Sequence, residues 1–325
     1  MRRREFIAGV GSALAWPSDA GAQQASKIAR LGFLGAISAS KYATQVEAFL
    51  AGLHDLGYVE GKNIAVEFRW AEGNYDRLPE LAAEFERLKI DVLVTHGTPG
   101  TIAAKAATKT IPIVTAAIGD PVGAGVVTGA AQPGGNITGV AVFSPELGVK
   151  RLELLTQAVP HVKRFAVLMN PDNALVRAML QAIETAAAAL AVAVQEVAVS
   201  APTEFDDVLS SLAGGRIEAV VLVDDGMLIA NAGTLGRVIS KLRLPSVGFT
   251  EFAQGGGLIG YGVNFPEMFR RAAILVVKIL KGASPADLPI EQANRFDLII
   301  NLMTAKALGV TIPPTLLARA NEVIE

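Results

Sequence analysis

The chain has 325 residues, 29 Lys and Arg against 31 Asp and Glu, three His and no Cys, for a formal net charge of -2. Near-neutral charge without a basic run gives no reason to expect nucleic acid or anionic lipid as a partner. The missing cysteine excludes disulfides and thiolate chemistry and leaves the fold indifferent to redox compartment.

The first element is an address. Arg2-Arg3-Arg4 runs into an apolar stretch from Phe6 to Trp16 of 11 residues, followed by Pro17, Ser18 and Asp19. That run is well short of the roughly 20 residues a membrane span needs, so it reads as a cleavable export signal. Ala20-Gly21-Ala22 offers small residues for a peptidase, with the cut expected before Gln23 and the mature protein in the periplasm. Arg3-Arg4-Glu5-Phe6-Ile7 resembles the twin-arginine consensus. Residues 1–22 hold three Arg against Glu5 and Asp19, so their loss takes the net charge from -2 to -3. No Cys follows the apolar run, so no lipid anchor is expected.

Beyond the signal, short apolar runs alternate with longer amphipathic ones, the pattern of parallel strands joined by helices. Strands are expected at Ala29 to Leu34, Ile64 to Arg69, Val92 to Thr95, Ile111 to Ala116 and Ile137 to Val142. In the first intervening helix Val46, Phe49, Leu50, Leu53 and Leu56 recur at helical steps, and Gly57 marks its end. A second series follows, with strands at Phe165 to Met169, Val192 to Val199, Ala219 to Val223 and Ser246 to Phe249. About 300 residues at roughly 150 per domain fit two domains. The fold class is α/β: two doubly wound parallel-sheet lobes joined by a multi-strand hinge. The expected division places 28–142 plus about 255–283 in lobe 1, 143–250 plus about 284–312 in lobe 2, and 313–325 in a tail.

In such sheets ligands sit beyond the carboxyl ends of the strands, where helix N-termini expose unpaired N–H groups. The turns there carry Ser38, Thr95, Gly97, Thr98, Asp120, Asn170, Asp224, Asp225 and Glu251. Thr98-Pro99 and Asp120-Pro121 each suggest a capping oxygen followed by Pro at the first helical position. Such residues also cap helices in any α/β protein, so their weight comes from being distributed over two lobes that face each other. Asp120, Asp224 and Glu251 suit a ligand ammonium, while Ser38, Thr98 and free helix N–H groups suit a carboxylate, as in a zwitterion. Tyr261, Phe143 and Tyr42 are candidates for aromatic packing.

Catalytic signals are poor. Of the three His only His96 sits at a strand end, no pair has metal-ligand spacing, and the tract containing Gly123, Gly125, Gly134 and Gly135 carries no phosphate-binding fingerprint. Neither a metal nor a cofactor is expected.

Three stretches carry a family resemblance: Leu53-His54-Asp55-Leu56-Gly57-Tyr58-Val59-Glu60-Gly61-Lys62-Asn63-Ile64, Asp120-Pro121-Val122-Gly123-Ala124, and Pro133-Gly134-Gly135-Asn136-Ile137-Thr138-Gly139. With the tail Asn301 to Gly309 and Ile312-Pro313-Pro314, they resemble the ABC-transporter substrate-binding proteins typified by tryptophan and tyrosine binders. The resemblance implies a type I periplasmic binding fold whose lobes close on one small molecule and hand it to an inner-membrane ABC permease. It implies ligand contacts at Ser38, Thr95 to Thr98, Asp120, Asn170 and the Asp224-Asp225 pair. A monomer fits hinge closure most simply. The alternatives are a periplasmic sensor module and a secreted hydrolase using His96 or Asp120.

Overall fold

The computed structural model describes residues 28–142, 144–214 and 216–325, so the expected export signal and Phe143 lie outside the described residues. The chain opens with β1 (Ala29–Gly35), α1 (Ala43–Asp55), β2 (Ile64–Trp70), α2 (Leu78–Leu88), β3 (Val92–Thr95), α3 (Gly97–Ala107), β4 (Ile113–Ile118) and β5 (Ile137–Ala141). These strands pair in parallel, and β3 and β4 are buried along their whole length, as strands covered by helices on both faces must be.

The second series comprises α4 (Ser144–Ala158), β6 (Arg164–Met169), α5 (Val176–Ala189), β7 (Ala193–Ala198), α6 (Phe205–Ser210) and β8 (Ala219–Leu222). It continues through α7 (Gly226–Ala230), α8 (Ala232–Lys241), β9 (Ser246–Gly248) and α9 (Thr250–Gln254). The remainder holds β10 (Ile259–Val263), α10 (Phe265–Leu280), β11 (Glu291–Gln292), β12 (Phe296–Asn301), α11 (Leu302–Leu308), α12 (Pro314–Leu317) and β13 (Glu322–Ile324).

The first sheet has the order β11-β5-β4-β3-β1-β2 and the second β13-β12-β10-β9-β8-β6-β7. Each therefore reverses direction beside its first strand, between β1 and β3 and between β6 and β8, and such a switch point opens a crevice at the strands' carboxyl ends. The one antiparallel pairing between named strands is β10 with β12.

The late elements divide differently from the expected boundaries. β10 hydrogen-bonds to β9 and β12, so 259–263, expected on the first lobe, completes the second sheet. β11 pairs with β5, so Glu291–Gln292, expected on the second lobe, edges the first. Residues 322–324, expected as tail, form an edge strand on β12. Sequence spacing carries no information on which sheet a short strand joins; pairing partners decide it. The chain thus crosses between lobes three times, from β5 to α4, from β10 to α10 and from β11 to β12.

Helix α10 lies on the first lobe against α1. Gly52 permits the approach, because a Cβ there would lie 3.0 Å from the Ala273 Cβ and 3.1 Å from the Arg270 carbonyl oxygen. The buried face of α1 is accordingly Gln45, Phe49, Gly52 and Leu53. Leu56, expected on that face, is at the C-cap and 39% exposed, because the helix ends before its position turns inward.

Candidate ligand-binding site

The two switch points face each other across a cavity of about 50 Å³. Its first-lobe wall comes from the turns after β1, β3 and β4, with Ala36, His96, Gly97, Thr98 and Gly119, and its second-lobe wall from those after β6 and β8, with Asn173, Asp224 and Asp225. Leu175, Met179, Val142 and Phe265 supply apolar lining.

Asp225 is the N-cap of α7. Its Oδ1 accepts from the Met227 N–H at 2.9 Å and the Leu228 N–H at 3.3 Å. The Asn170 amide donates to Oδ1 at 3.3 Å and the Asn173 amide to Oδ2 at 3.2 Å. Across the cleft, the Tyr75 hydroxyl reaches Oδ1 at 3.3 Å and Oδ2 at 3.2 Å, joining the lobes directly. Burial pushes the Asp225 carboxyl up from the usual range, and the amide and backbone donors pull it partly back. Burial and the adjacent Asp225 also raise the Tyr75 phenol, which stays a protonated donor.

Asp224 sits one residue earlier on the same turn and is differently supported. Arg151, on α4 and fully buried, donates to Asp224 Oδ1 at 2.8 Å, to the Tyr261 carbonyl at 2.8 Å and to the Leu222 carbonyl at 3.2 Å. Its guanidinium also stacks 5.8 Å from the centre of the Phe249 ring. One cation therefore ties together the carboxyl ends of β8 and β10 and holds Asp224 rigidly at the cavity wall. The second oxygen of that carboxylate, Oδ2, is buried without a hydrogen-bond partner. A buried acceptor without a partner is costly, and a ligand donor would relieve it.

On the first lobe His96 is the N-cap of α3, where the helix is entered through Gly97 at φ +70°, a left-handed conformation open to glycine. The His96 Nε2 accepts from the Ala36 N–H at 3.3 Å, and the ring stacks on Tyr42 with centroids 4.2 Å apart. Burial pushes the imidazole down to about 3, so it is neutral with its proton on Nδ1. Burial, Asp225 and Glu251 raise the Tyr42 phenol.

Of the residues expected from sequence, Gly97, Thr98, Asp224 and Asp225 line this cavity, and Asn170 braces it from behind Asp225. Thr98 is not a cap but the second residue of α3, its Oγ1 accepting from the Gly119 N–H at 3.4 Å. Thr95 points away, donating to the Leu34 carbonyl at 3.0 Å beneath α3. Asp120 caps a turn rather than a helix, accepting from the Val122 N–H at 3.0 Å and the Gly123 N–H at 2.8 Å. The Ser38 hydroxyl lies within hydrogen-bond distance of the Ser40 hydroxyl, at 3.3 Å, and Ser38 is not among the described residues lining the cavity. Glu251 lies in a separate groove beside the hinge, with Lys41, Arg295 and Asp297, where burial raises its carboxyl. Tyr261 stacks on Phe296 and lends the site only its carbonyl, to Arg151.

Arg151 and Tyr75 were not anticipated. Arg151 had a legible signal: it occupies the inward stripe Leu147, Arg151, Leu154, Ala158 of α4, and a charge at such a position needs a buried partner. Tyr75 has none, being one aromatic in a polar turn after β2.

Among the described residues there is no group of three or more His, Cys, Asp and Glu that could hold a metal, and no helix long and apolar enough to cross a membrane.

Comparison with known proteins agrees with this geometry. The chain is 29% identical over 266 residues to the tyrosine-binding protein of Clostridioides difficile (strain R20291), covering 81% of this chain and 76% of that one. It superposes with a TM-score of 0.83 on the ABC domain from Streptococcus pneumonia in complex with L-Trp, at 25% identity over 91% of this chain and 99% of that one. The ligand-free, open structure of a substrate-binding protein with adhesive properties from Clostridium difficile gives 0.65 at 26% identity, with the same coverage. At nearly equal identity the superposition is better on the L-Trp complex than on the ligand-free, open structure, and in this chain the two lobes touch through Tyr75 and Asp225. The lobes have the type I periplasmic binding arrangement. The model of the family described as ABC transporter substrate binding protein matches residues 32–324, and the chain belongs to that family.

Proposed function

We propose that the protein is the solute receptor of an ABC importer: it is exported to the periplasm, captures one small amino compound between its lobes, and delivers it to an inner-membrane permease. The observation that carries this reading is Asp224, whose Oδ1 is fixed by Arg151 while Oδ2 stands buried and unpaired at the cavity wall. A ligand ammonium supplies the missing donor and leaves amino acids as the leading class, in keeping with the L-Trp and tyrosine binding stated for two relatives. Closure follows from differential affinity. A ligand touching both Thr98 on one lobe and Asp224 on the other stabilises the closed form over the open one, and this closed-form preference is what a permease reads.

The hydrolase alternative loses support from His96. Its Nε2 lone pair is taken by a backbone N–H, and a pKa of about 3 makes the ring a weak base at neutral pH.

Thermal-shift titration of the full chain against the amino acids and simple amines tests the receptor reading. Binding at [L] a hundredfold over Kd adds about 2.7 kcal/mol to stability, which is readily seen as a raised Tm. A panel in which no small molecule raises Tm overturns the reading.

A further inference from the structure

A second hollow lies between the lobes on the hinge side. Its volume is about 470 Å³, within the roughly 300–1,000 Å³ of small-molecule sites. Lys41 and Gln45, at the entry to α1, line it from the first lobe, and Glu251, Arg295 and Asp297 line it from the second. Among the described residues only Ile229 lines both this groove and the ligand cavity. We propose that the groove is a second binding site, for a compact zwitterion such as a free amino acid, and that its occupant acts as an effector of the cleft.

Gln45 is the residue that points to a ligand. Its side chain lines the groove, is 8% exposed and makes no hydrogen bond to any described residue. A primary amide carries two donors and an acceptor, and burying them unpaired is costly. Phe49 and Leu53 continue the same buried face of α1 with apolar side chains, and an apolar residue at 45 would fill that place without the polar cost. A polar molecule entering the groove accounts for the amide.

The charges define its chemistry. Lys41 is exposed and forms no ion pair with any described residue. Glu251 on the opposite wall forms none either; its Oε2 accepts from the Thr250 hydroxyl at 3.0 Å, and burial raises its carboxyl. Arg295 and Asp297 by contrast are paired with each other, the Arg295 Nε donating at 3.3 Å. Glu322, exposed, adds acidic charge. No aromatic ring is among the described residues lining the groove, so stacking contributes nothing. A lone anion satisfies Lys41 but is repelled by Glu251, and a lone cation does the reverse. A molecule with a carboxylate and an ammonium satisfies both walls, and the Gln45 amide can bond either end.

An occupant bonded to Lys41 on one lobe and Glu251 on the other acts across the same interface as the Tyr75 to Asp225 contact. The effector role rests on the receptor reading: the occupant favours the arrangement that also holds the cleft ligand, so each tightens the other by the same factor.

The test is calorimetric titration of the full chain with the protein amino acids one at a time, repeated on Lys41→Ala, Glu251→Gln and Asp224→Asn, with circular dichroism checking that each folds. The expected result is one binding event that Lys41→Ala and Glu251→Gln each weaken tenfold or more, and a separate one, lost in Asp224→Asn, that both leave within about threefold. Binding that is lost in Asp224→Asn with no event sensitive to Lys41 or Glu251 overturns the proposal and leaves the receptor reading standing. Binding sensitive to Lys41 and Glu251 but not to Asp224 keeps the groove and overturns the cleft reading. No binding by any amino acid overturns both. The deaminated acid and the decarboxylated amine of the groove-bound amino acid should each bind the groove at least tenfold more weakly than the parent, and equal binding by either overturns the two-charge geometry. Tyr75→Phe, which touches the cleft but not the groove, is expected to weaken groove binding at least twofold; unchanged affinity overturns the effector role.

Discussion

Replacing Arg151 with Met is the sharpest probe of how the site is held. Met keeps the length and apolar stem of the side chain but removes the guanidinium. The change leaves Asp224 with no counter-charge in a site where it is 7% exposed, and it removes the donors to the Leu222 and Tyr261 carbonyls. Breaking a buried ion pair from one side costs about 3–5 kcal/mol, because the surviving charge keeps its desolvation penalty. Against a total stability of roughly 5–15 kcal/mol, that is about a fifth or more of what holds a domain together. At roughly 2–4 °C per kcal/mol for a protein of this size class, Tm should fall by roughly 6–20 °C. Urea unfolding followed by circular dichroism gives the free energy directly. Arg151→Met combined with Asp224→Leu should recover most of the loss, since a well-packed apolar pair replaces a buried ion pair at little cost. The reasoning is refuted if the single variant loses less than about 1 kcal/mol, the net worth of an ordinary hydrogen bond, or if the double variant is no better than the sum of the singles.

Tyr75→Phe removes the direct link between lobes, yet Asp225 keeps four donors, from Asn170, Asn173 and the Met227 and Leu228 N–H groups. The loss should be about 0.5–1.5 kcal/mol, shifting the ligand-free equilibrium toward the open form by roughly two- to tenfold; an unchanged small-angle scattering profile contradicts this. His96 titrates in the unfolded chain near 6.5 and in the folded chain at about 3, so the folded form binds fewer protons and stability falls as pH drops through that window. From pH 6.5 to 5 its share of the loss is about 2 kcal/mol, and His96→Gln should lose correspondingly less than the parent between those pH values. Comparing the two proteins is essential, because Asp225 and Glu251 have raised carboxyls and work in the opposite direction, adding stability in acid that disappears as pH rises through their folded values. Asp120→Ala should cost about 1 kcal/mol of turn stability while ligand affinity stays within about twofold; a tenfold weakening places Asp120 in the site after all.

Much of the architecture is legible from local pattern. β3 and β4 read as buried strands because each is a short apolar run between turn residues, and a period of that kind depends on neighbours only a few positions away. Gly97, Thr98, Asn170, Asp224 and Asp225 could be placed at the interlobe cavity because strand ends in a doubly wound sheet converge on its switch point. Thr95 and Asp120 show where that logic stops. Both sit at strand ends, but one hydroxyl turns to a neighbouring strand and one carboxylate to its own turn, and side-chain direction at a strand end depends on local geometry that residue identity does not carry.

The division of late elements is likewise non-local. β11 lies on the first sheet and β10 on the second, although the reverse is equally compatible with their residues. What the sequence by itself determined is the kind of protein: the alternation of apolar runs, the turn residues that follow them and three family-like stretches already define a two-lobed α/β member of the ABC-transporter substrate-binding family, because these signals are short-range. What only the tertiary structure decided is the chemistry of the cleft. The Arg151 to Asp224 ion pair joins residues 73 positions apart, and the Tyr75 to Asp225 contact residues 150 apart. Which oxygen of Asp224 is spent and which is left unpaired follows from those long-range partners and from nothing nearer in the chain.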